Sequence, residues 1–322
     1  MHLDNIVWMF RFVARKPVLG LEITASSVRF AAVSGKWPKI AVEQIQTVDL
    51  PAGLVTESYA LPNVHHASEF VNLLSKYLDG ASKVYRRSAL SLPDGVFRVQ
   101  TLEWNEFPAK PSDQQQIIRW RLEKTAAFDL DETVLRYQIL RQEGKGCSVL
   151  VCLAKQAVIA QFEQVLLQLG LEPWTVGIAS FHVLNFYFPL MMQRSTAFAI
   201  ALLNDDSFTT MVTDRGAIKF YRHKEIKRGS AEETQDRFIR EIEDSLHFYA
   251  HMDRTKTSEV RHLYLVGASM GPYDLAEVLR TATELNVAVL SPADVIPLPV
   301  QSGTASKWHT TMAAALGAGS LL

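Results

Sequence analysis

Leu19 to Phe30 reads LGLEITASSVRF, and Ala201 to Val212 reads ALLNDDSFTTMV. Each places an apolar strand, a short turn of small or polar residues and a second apolar strand in close succession, the pattern of a β-hairpin. Working outward, the first hairpin continues into KIAVEQIQTVDL after a turn at Lys36 to Pro38. A helix over 67–78 follows, with Phe70, Val71, Leu74, Tyr77 and Leu78 on one side. The second continues into AIKFYRHKEI after a turn at Arg215 and Gly216, then into a helix opened by a capping box at Ser230 and Glu233. Phe238, Ile242, Leu246 and Tyr249 share one face of that helix. The chain therefore reads as a duplication, two lobes on one plan.

Between the lobes lies a different pattern. VFRVQTLEW alternates as a strand, and Ser112 with Gln115 reads as a capping box for a helix through Ile117, Trp120, Leu122 and Lys124. TVLRYQIL and CSVLVCLA flank a glycine turn, and a helix over about 155–169 ends at Gly170. These elements form a small α+β insert. The expected division is an N-terminal segment 1–17, a first lobe 18–95 and 171–195, an insert 96–170 and a second lobe 196–322.

The chain has 322 residues, with 33 Lys plus Arg against 34 Asp plus Glu and 48% hydrophobic residues. That composition builds two packed lobes, and a net charge of -1 supplies no global field to attract nucleic acid or an anionic bilayer. The basic stretch from Arg215 to Arg228, interleaved with Phe220, Tyr221 and His223, reads as a solvated strand face, so no nucleic-acid partner is expected. Cys147 and Cys152 point to opposite faces of one strand, which excludes a disulfide between them and a shared metal site. The longest uncharged stretch, Pro173 to Gln193, is broken by Gly177, His182, Asn185 and Pro189; Phe181, Leu184 and Phe188 mark it as a buried core helix. TTMAAALGAGSLL reads as a packed final helix. In the first twenty residues the basic groups follow the apolar run, which is wrong for a signal peptide. Trp8 and Phe12 could dip into lipid with Arg11 and Arg15 at head groups, or the same helix could dock on protein; both readings stay open. No GxSxG, HExxH, CxxC pair or Walker A string occurs, and the adjacent His65 and His66 do not face one way, so no catalytic or metal-ligating set is assigned.

Paired ribonuclease-H-like lobes, each opening with a hairpin and parted by a cleft, are the plan of the actin, sugar-kinase and Hsp70 ATPase superfamily. Six segments in order resemble the PilM family of type IV pilus assembly proteins: LGLEITASSVRF, LPDGVFRVQTLEW, GLEP, RFIREIEDSLHFY, HLYLVGAS and AAALGAG. The cytoplasmic part of type II secretion L proteins is similar. The resemblance implies an α/β, actin-like fold of two lobes with the insert in the first. It also implies a cytoplasmic protein, peripheral at the inner membrane, that serves as a scaffold for pilus or related filament assembly and binds the cytosolic tail of a PilN-like membrane protein. The tail would lie in a groove between the first lobe and the insert, with Phe97, Arg98, Trp104, Phe107, Trp120 and Arg121 as candidate contacts.

An actin-type cleft holds ATP between the two hairpin turns, with strand-end carboxylates arranging hydrated Mg2+. Where the PilM pattern has Asp-Ile-Gly, the first turn here has Glu22, Ile23 and Thr24, followed by Ala25 and Ser26. In the second, Leu203 falls at the aspartate position and Asp205 at the glycine, with Asp206 beside it. The family's acidic residue after the insert falls near Gly177, and its adenosine-side glycine pair becomes Gly267 and Ala268. A leucine cannot orient a metal-bound water, and two bare acids repel phosphates. Glu22 itself is expected to be satisfied by hydroxyls of its own turn. These residues imply a degenerate nucleotide cleft, no ATP hydrolysis and no cofactor; the alternative is a working actin-like ATPase using ATP and Mg to switch partner binding.

Overall fold

Val18–Ile23 (β1) and Ala197–Leu203 (β9) are buried at every position, as a near-continuous apolar run must be in the middle of a sheet covered on both faces. In the computed structural model, which describes residues 18–36, 39–78, 84–124, 130–204, 206–226, 229–252, 259–267, 272–298 and 313–320, each is the central strand of a five-stranded sheet.

The first sheet runs β3-β2-β1-β4-β8, with Ser27–Lys36 (β2), Lys39–Asp49 (β3), Arg87–Leu92 (β4) and Glu172–Ile178 (β8). The second runs β11-β10-β9-β12-β13, with Ser207–Asp214 (β10), Ala217–Glu225 (β11), His262–Gly267 (β12) and Asn286–Val289 (β13). In both, the meander is antiparallel and the last two strands are parallel to the central one. The duplication read from the hairpins is thus present strand for strand.

Arg98–Trp104 (β5), Thr133–Glu143 (β6) and Gly146–Lys155 (β7) form a separate antiparallel sheet in the order β5-β7-β6. Its own small core takes Ile118 and Leu122 from the helix Pro111–Glu123 (α2), with Leu135, Val149 and Val151 from the strands. Cys147 joins this core while Cys152 packs toward the main one, so the two cysteines are free and on opposite faces.

The helix Ala67–Leu78 (α1) buries Phe70, Leu74 and Leu78, whereas Tyr77 is 43% exposed rather than packed. The helix Gln156–Gln168 (α3), grouped with the insert on sequence grounds, buries Phe162, Val165 and Leu166 in the main core and lies against α1 and β8. Two local readings are corrected. Residues 173–178, expected within a helix, belong to the edge strand β8, and the helix Ala179–Arg194 (α4) starts only after it. Ser112 caps nothing: α2 begins at Pro111 after Lys110, and the Ser112 hydroxyl donates to Asp113 instead. The Ser230–Glu233 capping box is present at the start of the helix Ala231–Met252 (α5).

The helix Pro272–Ala282 (α6) covers the second sheet. The final helix, Ala313–Ser320 (α7), returns to the first lobe and packs on β1, β2, β4 and α4. Its alanines are buried, and a Cβ on Gly317 would lie 2.8 Å from the His182 carbonyl carbon, so glycine there is what lets α7 lie directly on α4. Among the described residues no helix is long and apolar enough to cross a membrane. Trp8, Arg11, Phe12 and Arg15 lie outside the described residues.

Candidate functional site

Two hairpin turns, one from each lobe, face a common cavity of about 400 Å³. Its wall includes Glu22, Thr24, Ala25 and Ser26 from the first turn, Leu203 and Asp206 from the second, and Gly267 from the end of β12. Of the residues expected there, only Asp205 and Ala268 lie outside the described residues. Leu50, Val55, Val183 and Val266 make part of the wall apolar.

The turns are built alike. Thr24 N donates to Ser27 O at 2.9 Å, and Asn204 N donates to Ser207 O at 2.9 Å. Matched by that bond and by the last strand pairs, Ile23 with Val28 and Leu203 with Phe208, the counterpart of Glu22 is Leu202, one residue before the position counted from sequence. Asn204 then stands opposite Thr24, and Asp206 opposite Ser26. Leu202 also lines the cavity, so the second turn still presents an apolar group where the first has a carboxylate.

Glu22 is buried, but its partner is not a turn hydroxyl. Arg29, directly across the hairpin, donates from Nη1 to Glu22 Oε2 at 3.1 Å. The hydroxyl of Thr24 closes its own turn, accepting from Ser27 N at 3.0 Å and Ser26 N at 3.3 Å. Burial raises the Glu22 carboxyl above its ordinary range, with Arg29 opposing that shift.

Two acids not assigned to the site from sequence lie at it: Glu57 on its wall and Asp94 buried next to the wall residue Pro93. Glu57, partly buried in the loop after β3, accepts from Ala25 N at 3.3 Å. Desolvation, reinforced by the Asp206 carboxylate across the cleft, pushes its carboxyl up to about 8. Asp94 is 2% exposed and opens the 3-10 turn Asp94–Val96 at the carboxyl end of β4. It accepts from Thr209, Tyr221 and the backbone of Ser180. An acid at the carboxyl end of a sheet strand, as in LPDG, was the available signal for Asp94; nothing local marks Glu57.

Behind the cleft, a Cβ on Gly177 would lie 2.5 Å from His182 Nε2. The imidazole fills the space into which a side chain at 177 would project. Burial lowers the His182 ring to about 4, so it is neutral. No group of three or more His, Cys, Asp or Glu side chains among the described residues is arranged to hold a metal.

The six residues expected to contact a partner do not share one groove. Trp104 and Phe107 pair at 5.0 Å between ring centroids, and the Arg121 guanidinium lies 5.6 Å over the Trp104 ring. Phe97 is buried in the main core, while Arg98 lies 4.7 Å over Tyr59. Trp120 is 54% exposed and is covered by Lys124 at 3.8 Å. Trp104 also borders a groove of about 840 Å³, but this opens between the insert and β11 with α5, where Phe220, Tyr221, Phe248 and Tyr249 line it. Beside it, Arg222 and Lys224 pair with Glu241 on α5, so part of the basic stretch is neutralised within the protein.

This arrangement, two lobes of one topology with facing hairpins around a cleft, has solved counterparts. The chain matches a PilM-PilN type IV pilus biogenesis complex with a TM-score of 0.80 and 20% identity, over 95% of this chain and 98% of that one. It also matches a Bacteroides thetaiotaomicron protein of unknown function described as having an actin-like ATPase fold, with a TM-score of 0.53 and 11% identity, over 86% and 91% of the two chains. The fold is actin-like. The cytoplasmic domain of EpsL, an inner-membrane component of the Vibrio cholerae type II secretion system, matches with a TM-score of 0.46 and 10% identity, over 78% and 82% of the chains. No protein-family model matches the chain, and no curated protein matches it. In this actin-like frame the 400 Å³ cavity occupies the interlobe cleft, and the three-stranded insert leaves the first lobe between β4 and β8.

Proposed function

We propose that this protein is a cytoplasmic actin-like scaffold, peripheral at the inner membrane, in a platform that assembles type IV pili or a related filament. It binds the cytosolic tail of a PilN-like membrane protein and does not turn over ATP. The observation that carries the reading is the near-complete overlap in fold with a PilM-PilN complex.

The chemistry of the cleft supports the absence of turnover. A phosphate would need backbone N–H donors at the turns and carboxylates free to arrange a hydrated cation. Here the Ala25 N–H is already bonded to Glu57, Glu22 is engaged by Arg29, and its counterpart is a leucine. Asp206 adds negative charge where a triphosphate would bring more, and that charge already helps keep the Glu57 carboxyl protonated. Titration of the full chain with Mg-ATP in a calorimeter is expected to give no saturable heat up to about 1 mM. Micromolar affinity would instead support an ATPase that switches partner binding.

For the partner, the insert surface around Trp104, Phe107 and Arg121 is the proposed contact, because a half-buried aromatic pair beside an exposed arginine is the usual composition of an anchoring patch. Capture by the N-terminal peptide of the membrane partner is expected to weaken about tenfold in Trp104→Ala and in Arg121→Ala. Full capture by both variants would remove these positions from the interface.

A further inference from the structure

On the reading proposed above, no nucleotide bonds to both hairpins at once, so the lobes are fixed by contacts of their own. We infer that the Asp94 carboxylate is one such crosslink: a built-in bridge that holds the second lobe against the first and against the root of the insert, independently of any cleft ligand.

The geometry is specific to this role. Asp94 follows β4, the strand next to the centre of the first sheet, at the point where the chain leaves for the insert. Its Oδ2 accepts from the backbone N of Ser180 at 3.2 Å, in the first turn of α4, where unpaired N–H groups favour a negative partner. Its Oδ1 accepts from Thr209 Oγ1 at 3.0 Å and from the Tyr221 hydroxyl at 2.7 Å. Thr209 is on β10 and Tyr221 on β11, both in the second lobe. One side chain is therefore bonded to both lobes, with Asp94, Thr209 and Ser180 each nearly inaccessible to water.

The bridge is braced on each side. Thr209 Oγ1 is also 2.9 Å from His223 Nδ1, two residues along β11 from Tyr221 and on the same face. The Tyr221 ring packs on Phe181 of α4 at 5.6 Å and borders the groove between the insert and the second lobe. Apolar contact between the lobes is extensive, since one core includes Leu21 and Phe186 together with Ile200 and Tyr264. Such contact allows sliding. Charge-assisted hydrogen bonds of fixed direction do not, and in a dry site they hold one register of the lobes.

The test uses the full chain with spin labels on exposed cysteines placed by Glu69→Cys on α1 and Glu277→Cys on α6, after Cys147→Ala and Cys152→Ala. One narrow interlobe distance is expected in this background. Asp94→Asn keeps the shape but removes the charge, and Tyr221→Phe removes one cross-lobe donor while leaving the carboxylate. Each is expected to broaden the distance distribution and to speed amide exchange in β10 and β11 by about tenfold, with α1 and α6 unchanged. If Asp94→Asn does not fold, Tyr221→Phe and Thr209→Val decide the question. Folded variants that retain the narrow distance and the original exchange rates would overturn the bridge, as would exchange that rises uniformly over the whole chain.

Discussion

Gly267→Ala is expected to destabilise the protein by roughly 2–4 kcal/mol, read as a fall in the urea midpoint at unchanged slope. Two causes combine. Gly267 ends β12 with φ of 152°, a conformation that side-chain-bearing residues avoid, and its register partner on β9 is Leu203. A Cβ there would lie 2.9 Å from Leu203 Cβ and closer still to the Leu203 carbonyl oxygen, which belongs to the sheet backbone and cannot turn aside. Gly53 provides the comparison: φ is 79°, but a Cβ would meet nothing within 4 Å. Gly53→Ala should cost only about 1 kcal/mol, the conformational part alone. Equal losses at the two positions would show that the close approach of β12 to β9 is not what requires glycine at 267.

Glu57→Gln is expected to stabilise the protein at alkaline pH by on the order of 3 kcal/mol, allowing for the partial exposure of the side chain. The Glu57 carboxyl titrates at about 8 in the folded protein against 4.5 ordinarily. Between those values the folded chain holds a proton that the unfolded chain has lost. Its stabilising contribution is therefore complete below pH 4.5 and disappears as pH rises through 8. His182 acts in the opposite sense: with its ring lowered to about 4 from 6.5, its contribution is complete above pH 6.5 and is lost as pH falls toward 4. The wild-type stability profile should decline on both sides. The amide variant, which still offers an oxygen to Ala25 N, should retain the acid decline and fall much less than the wild type above pH 6.5, the remaining slope coming from Glu22. Parallel decline of variant and wild type between pH 6 and 9 would exclude Glu57 as the cause.

The lobes were legible because each is announced by a local pattern: a hairpin, a third strand, then a helix with a clear apolar face. β8 was not. After Glu172 the strand is uncharged, holds Pro173 and Gly177, and runs without a turn into α4, so nothing separates strand from helix. The site divides in the same way. Residues on the two turns were readable from the hairpins, and the Glu22–Arg29 pair follows from simple counting across the first one. Glu57 reaches the cleft only because the 51–66 loop folds back through a bridge between Val55 and Val64. Asp94 acquires its partners from residues 86 or more positions later in the chain. No window of sequence contains such a cluster. The aromatic and basic residues of the insert carried the opposite problem, since residue type and local pattern alone could not tell that Phe97, before β5, is core while Trp120, on α2, faces water.

The position of α7 has a consequence for biogenesis. Strands β1, β2 and β4 are made early, yet the surface they share with α4 is covered by residues 313–320. During translation the first lobe must wait, with an apolar face uncovered, until residues 313–320 have left the ribosome. A product truncated before residue 313 should therefore be captured by chaperones rather than accumulate as a native molecule.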